Sequence, residues 1–294
     1  MRIVVTGTTG QVVSAITAVA PPDVAIIAIG RPDIDLADLD SLAGPITAAR
    51  PDVIVSAGAY TAVDRAESEP ELAQVINGAA PGALARIARD LDIPILHIST
   101  DYVFDGSKSS PYVEDDATGP LGVYGASKLA GEAAVRAAGD NHVILRTAWV
   151  YSPFGGNFVK TMLRLAQSRD EISVVADQVG CPTSAMDIAR TVIAIAQRVA
   201  TDPSPNLRGT FHLSAPDEAS WADFAQAVFD GLAVRGGKTV TVNPIATSAY
   251  PTPARRPANS RLNGDRLART YGIRLPSWRS SLDDTLTAVW QIGV

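Results

Sequence analysis

The first eleven residues constrain the fold of this chain more than any later segment does. Residues 2–5 form an apolar run that predicts a buried strand, and Thr6-Gly7-Thr8-Thr9-Gly10-Gln11 follows at once. Gly7 and Gly10 let the backbone turn tightly and approach a ligand closely. A helix that begins at Gln11 presents free N–H groups and a partial positive charge to that turn. This order of strand, glycine loop and helix predicts a site for the phosphates of a dinucleotide.

Short β-branched runs alternate with helical patterns through most of the chain. The strand candidates are residues 2–5, 24–29, 52–55, 93–98, 143–146 and 210–213. The helix candidates between them are residues 11–19, 39–50, 71–91 and 124–138. Alternation of this kind produces βαβ units with right-handed crossovers. We therefore predict an α/β fold with a doubly wound, Rossmann-like parallel sheet.

A second, smaller unit is indicated after Tyr151, where the pattern changes. The parts of this unit are helix patterns at 158–167 and from Trp221 onward and strand patterns at 172–175 and 239–242. They do not continue the alternation that builds the first sheet. The helix pattern at 185–199 is expected to return to that sheet. We expect a dinucleotide-binding domain at residues 1–150 plus about 184–215, and a smaller α/β substrate domain at about 151–183 plus 216–294.

Composition argues against several classes of function. The chain has 294 residues, of which 46% are hydrophobic and 19% charged, and its net charge of −6 repels polyanions, so no nucleic-acid partner is expected. Its apolar runs are too short for a membrane span or a signal-peptide core. The single cysteine, Cys181, cannot form an internal disulfide, and a small buried side chain is its simplest interpretation. We expect a soluble, cytoplasmic protein without a membrane partner.

Tyr124-Gly125-Ala126-Ser127-Lys128 has the spacing that places Tyr124 and Lys128 on one face of a helix. Reduction of a ketone needs a hydride on carbon and a proton on oxygen, and a tyrosine hydroxyl can supply that proton. Because the ordinary pKa of tyrosine is about 10, we expect the Lys128 ammonium to lower the pKa of Tyr124. The pair predicts a proton donor, Tyr124, and a residue that binds the nicotinamide ribose, Lys128.

Two further residues stand where strands are expected to end. Thr100 is a hydroxyl at the carboxyl end of a predicted strand, where open α/β sheets bind ligands, so we expect it to hydrogen-bond the substrate carbonyl. The alternative is that Thr100 only caps a turn. Arg31 follows the second strand, where an NAD enzyme would carry an acidic residue, so it favours NADPH unless it is simply an exposed loop residue.

The chain resembles the extended short-chain dehydrogenase/reductases and, more closely, the dTDP-4-dehydrorhamnose reductase family. Besides the motifs above, the resemblance rests on segments 59–67, 99–106, 146–151, 177–183, 256–262 and 275–278. Simple short-chain dehydrogenases lack the last three of these segments. The resemblance implies NADPH- or NADH-dependent reduction of the C4 ketone of dTDP-4-dehydro-L-rhamnose to dTDP-L-rhamnose.

The resemblance also implies roles for individual residues. Contacts to the cofactor are implied for Gly10, Gln11, Val12, Asp35, Leu36, Ala59, Tyr60, Thr61, Tyr124 and Lys128, beside Gly7 and Arg31 from the arguments above. Contacts to the substrate are implied for Thr100, Asp101, Trp149 and Arg256. For Trp149 the alternative is packing in the core at a strand end. Arg256 is expected to meet the substrate diphosphate.

A metal site is not expected, although some members of the resembled family hold magnesium through acidic residues at a dimer contact. Here the corresponding segments carry Ser14 and Ala15, and Ser184, Ala185 and Met186. A homodimer stays possible. Two alternatives to the implied activity also stay open: a reductase or epimerase of another nucleotide sugar, and a non-catalytic NADP-binding regulatory subunit. The second is less compatible with the presence of the tyrosine and lysine pair.

Overall fold

The computed structural model describes residues 1–291. Its strands in chain order are β1 (Arg2–Thr6), β2 (Ala25–Ile29), β3 (Val53–Ser56), β4 (Ile95–Thr100), β5 (His142–Thr147), β6 (Val150–Tyr151), β7 (Glu171–Val175), β8 (Val179–Gly180), β9 (Thr183–Ser184), β10 (Gly209–His212), β11 (Ala219–Ser220), β12 (Thr241–Ile245) and β13 (Asn259–Ser260). Its α-helices are α1 (Gln11–Val19), α2 (Ala43–Ala48), α3 (Val63–Ala66), α4 (Pro70–Gln74), α5 (Ala80–Asp90), α6 (Val123–Ala138), α7 (Phe158–Ala166), α8 (Ala185–Thr201), α9 (Trp221–Val234), α10 (Asp265–Tyr271) and α11 (Trp278–Gln291).

Within residues 1–291, six parallel strands form the central sheet in the order β10-β5-β4-β3-β1-β2. The chain moves outward from β1 in both directions, so the strand order reverses between β1 and β3. In open α/β sheets, a crevice for ligands lies outside the carboxyl ends of the strands at such a point. The predicted doubly wound, Rossmann-like parallel sheet is confirmed.

Helices cover both faces of this sheet because its strands are apolar on both sides. On one face α1 packs against α8 through residues such as Ile16 and Val192, so the predicted return of this helix to the sheet is observed. On the other face α5 and α6 contribute Leu84 and Val135 to a second layer. The glycine loop, β3 and β4 thus meet at one edge of a three-layer arrangement of helices, sheet and helices.

A separate core lies beyond β5. There α7, α9 and α11 pack against the pair β7 and β12, and Phe224, Phe229 and Trp278 are buried at their meeting point. The Tyr151 hydroxyl donates a hydrogen bond to the carbonyl of Trp278 at 2.8 Å, which joins the start of this region to its last helix. This core supports the segments that face the carboxyl edge of the central sheet.

Some predicted element boundaries differ from those observed. The helix predicted at 39–50 is a 3₁₀ turn at Leu39–Ser41 followed by the short α2. The Ser41 hydroxyl bonds the carbonyls of Asp35 and Asp38, which favours a turn over a helix. The helix predicted at 71–91 contains a π-helical turn at Val75–Ala79, and the strand predicted at 239–242 is β12. No helix within residues 1–291 has the length and hydrophobicity that a membrane crossing requires.

Candidate active site

The glycine loop between β1 and α1 leaves an open concavity at the carboxyl edge of the sheet. Gly7 has a φ of +99°, a conformation that favours glycine, and a Cβ atom there would lie 3.4 Å from Val13. Gly10 is the N-cap residue of α1, and no side chain in residues 1–291 accepts a hydrogen bond from the N–H groups of the first turn. A Cβ atom at Gly10 would meet nothing within 4 Å. The uncapped first turn therefore faces open space, as an anion site at a helix N-terminus requires.

The Gln11 side chain has a structural use at this loop. Its Oε1 accepts a hydrogen bond from the Ser152 hydroxyl at 2.8 Å, and its Nε2 donates to the carbonyl of Val150 at 3.4 Å. The side chain thus ties the start of α1 to the chain that follows β5. A contact between Gln11 and a phosphate would come from its backbone N–H, and it stays a prediction.

The segment after β3 is held by a residue that sequence analysis missed. Asn77 is fully buried, and its Oδ1 accepts a hydrogen bond from the N–H of Tyr60 at 2.8 Å. Its Nδ2 donates to the carbonyl of Tyr60 and to the Ser127 hydroxyl, each at 3.0 Å. Ser127 in turn donates to the carbonyl of Tyr124 at 2.8 Å. Asn77 lies on the π-helical turn, a feature common at functional sites, but no sequence pattern marks that turn in advance.

The side expected to hold the adenine is built by the loop after β2. Leu36 packs onto Gly58, where a Cβ atom would come within 2.8 Å of its Cδ1. Arg31 is exposed and Asp35 Oδ1 accepts the N–H of Ala37. A shallow cavity of about 380 Å³ adjoins this loop, and its lining is Ala37, Ser68, Glu69, Glu71, Leu72 and Val75. The structure brings Leu36 to the switch point and leaves Arg31 facing solvent.

Tyr124 stands in the first turn of α6, where its surroundings fix the backbone. The N–H of Val123 donates to Glu67 at 2.8 Å, so a distant carboxylate caps the helix. The Tyr124 ring meets the Tyr102 ring edge to face, with centroids 5.4 Å apart. Gly125 follows, and a Cβ atom there would lie 2.2 Å from the carbonyl oxygen of Tyr102. Glycine is therefore required beside the tyrosine, a constraint that the sequence alone does not reveal.

The expected effect of Lys128 on the tyrosine is wrong for this structure. Burial raises the pKa of Tyr124 to about 12, the Asp101 carboxylate raises it too, and the Thr100 hydroxyl lowers it. Lys128 does not lower it because its ammonium is directed elsewhere: Nζ donates to the carbonyl of Ile98 at 2.7 Å. Tyr124 is therefore fully protonated at neutral pH, which is the state that a proton donor needs.

Lys128 is itself buried, with 3% of its surface exposed, and burial lowers its pKa to about 8. One turn further along α6, the fully buried Glu132 raises that pKa. Glu132 binds Arg146 through two hydrogen bonds at 2.7 and 2.8 Å and accepts a third from Ser99 at 2.6 Å. Sequence analysis missed Glu132, although its spacing of four from Lys128 places both on one face of α6.

Thr100 ends β4 and has two observed partners. Its Oγ1 accepts a hydrogen bond from the N–H of Tyr102 at 3.2 Å, so it caps the following 3₁₀ turn as the alternative interpretation expects. Its hydroxyl also lies 3.0 Å from Oδ1 of Asp101. Because Thr100 acts on the pKa of Tyr124 as well, the hydroxyls of these two residues are neighbours. Capping and substrate binding are thus compatible at this position.

Trp149 lies between two neighbours that cover both faces of its ring. Its backbone φ is +50°, an uncommon conformation for a bulky residue. One face stacks on Trp221, with centroids 3.5 Å apart and planes 7° apart. The other face lies on Gly180, where a Cβ atom would come within 2.5 Å. This arrangement matches the packing alternative, and the contact of Trp149 with a sugar, which here would be at the ring edge, stays a prediction.

Arg256 approaches the site beside Tyr102, whose pKa it lowers. Its guanidinium binds the Asp64 carboxylate at 2.8 Å and donates to Thr252 Oγ1 at 2.5 Å. The hydrogen bond from Arg256 to Asp64 holds the pKa of Asp64 below its ordinary value. The partner carboxylate neutralises Arg256 in this arrangement, so a contact with the substrate diphosphate stays a prediction.

Comparison with known proteins identifies the family of a chain with this site. The family model described as RmlD substrate binding domain matches residues 1–290. The chain belongs to this family. The matched residues include the glycine loop, the six-stranded sheet and α6.

Named relatives cover almost the whole chain. A dTDP-4-dehydrorhamnose reductase from Sinorhizobium fredii is 55% identical over 99% of this chain and 98% of its own length. A crystal structure of a dTDP-4-dehydrorhamnose reductase from Clostridium acetobutylicum is 36% identical, with a TM-score of 0.91 over 99% of this chain and 100% of that one. One from Bacillus anthracis, in complex with NADP, is 34% identical, with a TM-score of 0.90 over 97% and 98% of the two chains.

Proposed function

We propose that this protein reduces the C4 ketone of dTDP-4-dehydro-L-rhamnose to dTDP-L-rhamnose with a nicotinamide cofactor. The observation that carries the proposal is the grouping of Thr100, Tyr124 and Lys128 at the carboxyl edge of the sheet, beside the glycine loop. The names of the relatives and the NADP in the Bacillus anthracis structure support it. A complete tyrosine and lysine pair favours catalysis over a regulatory subunit.

The catalytic roles follow from the protonation states of the three residues. Reduced nicotinamide supplies a hydride to a carbonyl carbon when it is bound. The Tyr124 hydroxyl, with a pKa of about 12, transfers its proton to the carbonyl oxygen as negative charge develops there. Thr100 donates a hydrogen bond to the same oxygen. Lys128, with a pKa of about 8, is mainly charged at neutral pH and can donate to ribose hydroxyls. Tyr124 regains a proton from solvent after the product leaves.

The loops around the switch point fit a dinucleotide. The uncapped start of α1 and the open space above Gly10 suit a pyrophosphate, and Leu36 offers an apolar side for an adenine. We propose that the cofactor contacts Gly7, Gly10, Gln11, Val12, Arg31, Asp35, Leu36, Ala59, Tyr60, Thr61, Tyr124 and Lys128, and that the sugar nucleotide contacts Thr100, Asp101, Trp149 and Arg256. The exposed Arg31 is free to meet a 2′-phosphate, so NADPH is the proposed preference over NADH.

The remaining parts of the proposal concern organisation. Residues 1–150 plus about 184–215 would bind the cofactor, and about 151–183 plus 216–294 would shape the sugar side. A cytoplasmic setting suits a chain whose single cysteine, Cys181, is buried as a free thiol. A homodimer would be detected as twice the chain mass by size-exclusion chromatography with light scattering.

The experiment that tests the function follows NADPH and NADH oxidation with dTDP-4-dehydro-L-rhamnose, generated in place by the upstream enzymes. Oxidation coupled to formation of dTDP-L-rhamnose is the expected result, with NADPH preferred. Oxidation only with another keto-sugar nucleotide would replace the substrate assignment. Binding of cofactor without oxidation of any such substrate would support the regulatory alternative.

Tyr124→Phe tests the proton donor. Its turnover should fall by about 10²-fold or more while NADPH affinity, followed by cofactor fluorescence, changes little. Tyr271→Phe is the matched control, because it removes a hydroxyl that bonds the carbonyl of Leu207, far from the carboxyl edge of β4. Near-normal turnover of Tyr124→Phe would contradict the assignment. Lys128→Ala should weaken both cofactor binding and turnover.

A further inference from the structure

Asp101 is a buried acid to which the mechanism above gives no part in proton transfer. It directly follows β4, and 3% of its surface is exposed. One carboxyl oxygen, Oδ1, lies 3.0 Å from the Thr100 hydroxyl. The other, Oδ2, is buried and has no hydrogen-bond partner of ordinary geometry within the described residues, although the Ser260 side chain faces the carboxyl group. A carboxylate with an unpartnered buried oxygen is costly, whereas the carbonyl oxygen of a neutral acid tolerates such a position far better.

The hydrogen bonds at Thr100 show why the form of Asp101 matters. A threonine hydroxyl has one proton to donate and two lone pairs that accept. One lone pair is already used by the N–H of Tyr102 at 3.2 Å. If Asp101 is ionised, it takes the Thr100 proton in a charge-assisted bond. The Thr100 hydroxyl then has no proton left for a substrate. Its remaining lone pair can accept one more hydrogen bond, and the adjacent Tyr124 hydroxyl is the available donor. Neither hydroxyl would direct its proton at a substrate.

A neutral Asp101 reverses this order. Its own O–H can donate to the second lone pair of Thr100, which completes the acceptor capacity of that hydroxyl. The Thr100 proton is then released for another acceptor, and Tyr124 no longer has Thr100 as an acceptor. We propose that Asp101 acts in its neutral form, as a positioning residue that donates a hydrogen bond to Thr100 so that Thr100 and Tyr124 both direct protons at the substrate carbonyl oxygen. This inference rests on the proposed function.

The burial of Asp101 shifts its pKa in the direction that favours the neutral form. Burial raises the pKa of Asp101 to about 6, and the nearby side chains of Ser260 and Thr100 and the backbone N–H groups of residues 101 and 102 oppose this rise. Ionised Asp101 raises the pKa of Tyr124 on α6 and of Tyr102 on the 3₁₀ turn. Arg256 and Asp64 also act on Tyr102, in opposite directions. Neutralising Asp101 therefore makes Tyr124 a stronger acid, and a bound substrate that excludes water would favour the neutral form further.

The test is the pH dependence of a single turnover, measured as NADPH oxidation by stopped flow with dTDP-4-dehydro-L-rhamnose between pH 5 and 8.5. The unaltered protein should lose rate as pH rises through a step at about 6 or above. Asp101→Asn keeps an N–H donor toward Thr100 at every pH, so it should lack this step. The ratio of its rate to that of the unaltered protein should rise by up to ~10-fold per pH unit above the step.

Further variants separate this role from simple support of the fold. Asp101→Ala, which removes the donor, should be slow at every pH. Asp92→Asn makes the same chemical change at an exposed position before β4 and should leave the profile unaltered. A flat profile in the unaltered protein, or the same step in Asp101→Asn, would overturn the role of Asp101 alone. Absence of turnover by the unaltered protein at every pH contradicts the proposed function itself.

A measurement without substrate completes the test. Because the folded pKa of Asp101 exceeds its ordinary value of 3.8, the folded state binds more protons between about pH 4 and 6. Stability toward urea should therefore fall as pH rises through that window, and Asp101→Asn should be less sensitive. If the two proteins show the same pH dependence of unfolding, Asp101 is not held neutral and the inference is wrong.

Discussion

Gly125→Ala should displace Tyr124 relative to the rest of the site. A Cβ atom at Gly125 would lie 2.2 Å from the carbonyl oxygen of Tyr102 and 2.9 Å from Pro120 Cβ, whereas Cβ contacts under 3.0 Å essentially never occur. The first turn of α6 must therefore move by about 0.8 Å, and a displacement of about 1 Å at a reacting group can cost about 10²-fold in rate.

The stability change works in two directions. Alanine in a helix is favoured over glycine by about 0.5–1 kcal/mol, while overpacking costs about 1–3 kcal/mol. We therefore expect a net loss of about 0–2.5 kcal/mol in the free energy of unfolding by urea, which leaves a folded protein. The rate of NADPH-dependent reduction should fall by about 10²-fold, far more than the affinity for NADPH, because the glycine loop lies on another element.

The control for this change is Ala126→Ser, at the next position, where the side chain is exposed. It should leave both turnover and stability close to those of the unaltered protein. If Gly125→Ala retains its turnover within about threefold while it remains folded, then the close approach of α6 to Tyr102 does not fix the tyrosine. The geometric reasoning would then be refuted.

Two further predictions concern buried ionisable groups. Glu132→Leu leaves the Arg146 guanidinium, which is 4% exposed, without its partner, and should lower the free energy of unfolding by urea by about 3–5 kcal/mol. Glu132→Leu combined with Arg146→Met should recover most of this loss. Equal losses in the single and the double variant would contradict the prediction. Burial lowers the pKa of His212 to about 3, so the unfolded state binds more protons between pH 6.5 and 3 and stability should fall as pH drops through that window. His212→Asn should weaken this slope in unfolding measured from pH 7 to 4, and an unchanged slope would show that other groups cause it.

The fold, and the placement of the predicted site residues at one edge of it, could be predicted because both depend on local patterns. A strand that is followed by glycines and a helix is compatible with few folds, and alternating strands and helices indicate a parallel sheet. The positions of Thr100, Tyr124 and Lys128 at one edge follow from that topology. What the patterns could not give is the direction of each buried hydrogen bond, since that depends on groups far apart in sequence.

Asn77 and Trp149 illustrate this limit in opposite ways. Asn77 lies 50 residues from Ser127, and only the packed structure shows that its amide joins the segment after β3 to α6. The family resemblance implies a contact between Trp149 and the sugar, yet Trp221 and Gly180 cover the two faces of its ring. An aromatic residue at a strand end has the same sequence pattern in both roles, so the choice between them requires its neighbours.

Lys128 is a buried charge on α6 that its neighbours stabilise. Its ammonium loses hydration on burial, which lowers its pKa, but it gains the carbonyl of Ile98 and the nearby charge of Glu132. Glu132 can remain ionised because Arg146 neutralises it from β5, and Ser99 supplies a further hydrogen bond from β4. Two central strands thus hold the face of α6 that carries Tyr124 and Lys128. The interactions that stabilise this helix against the sheet are therefore also the ones that fix Tyr124 and Lys128 relative to Thr100 and Asp101.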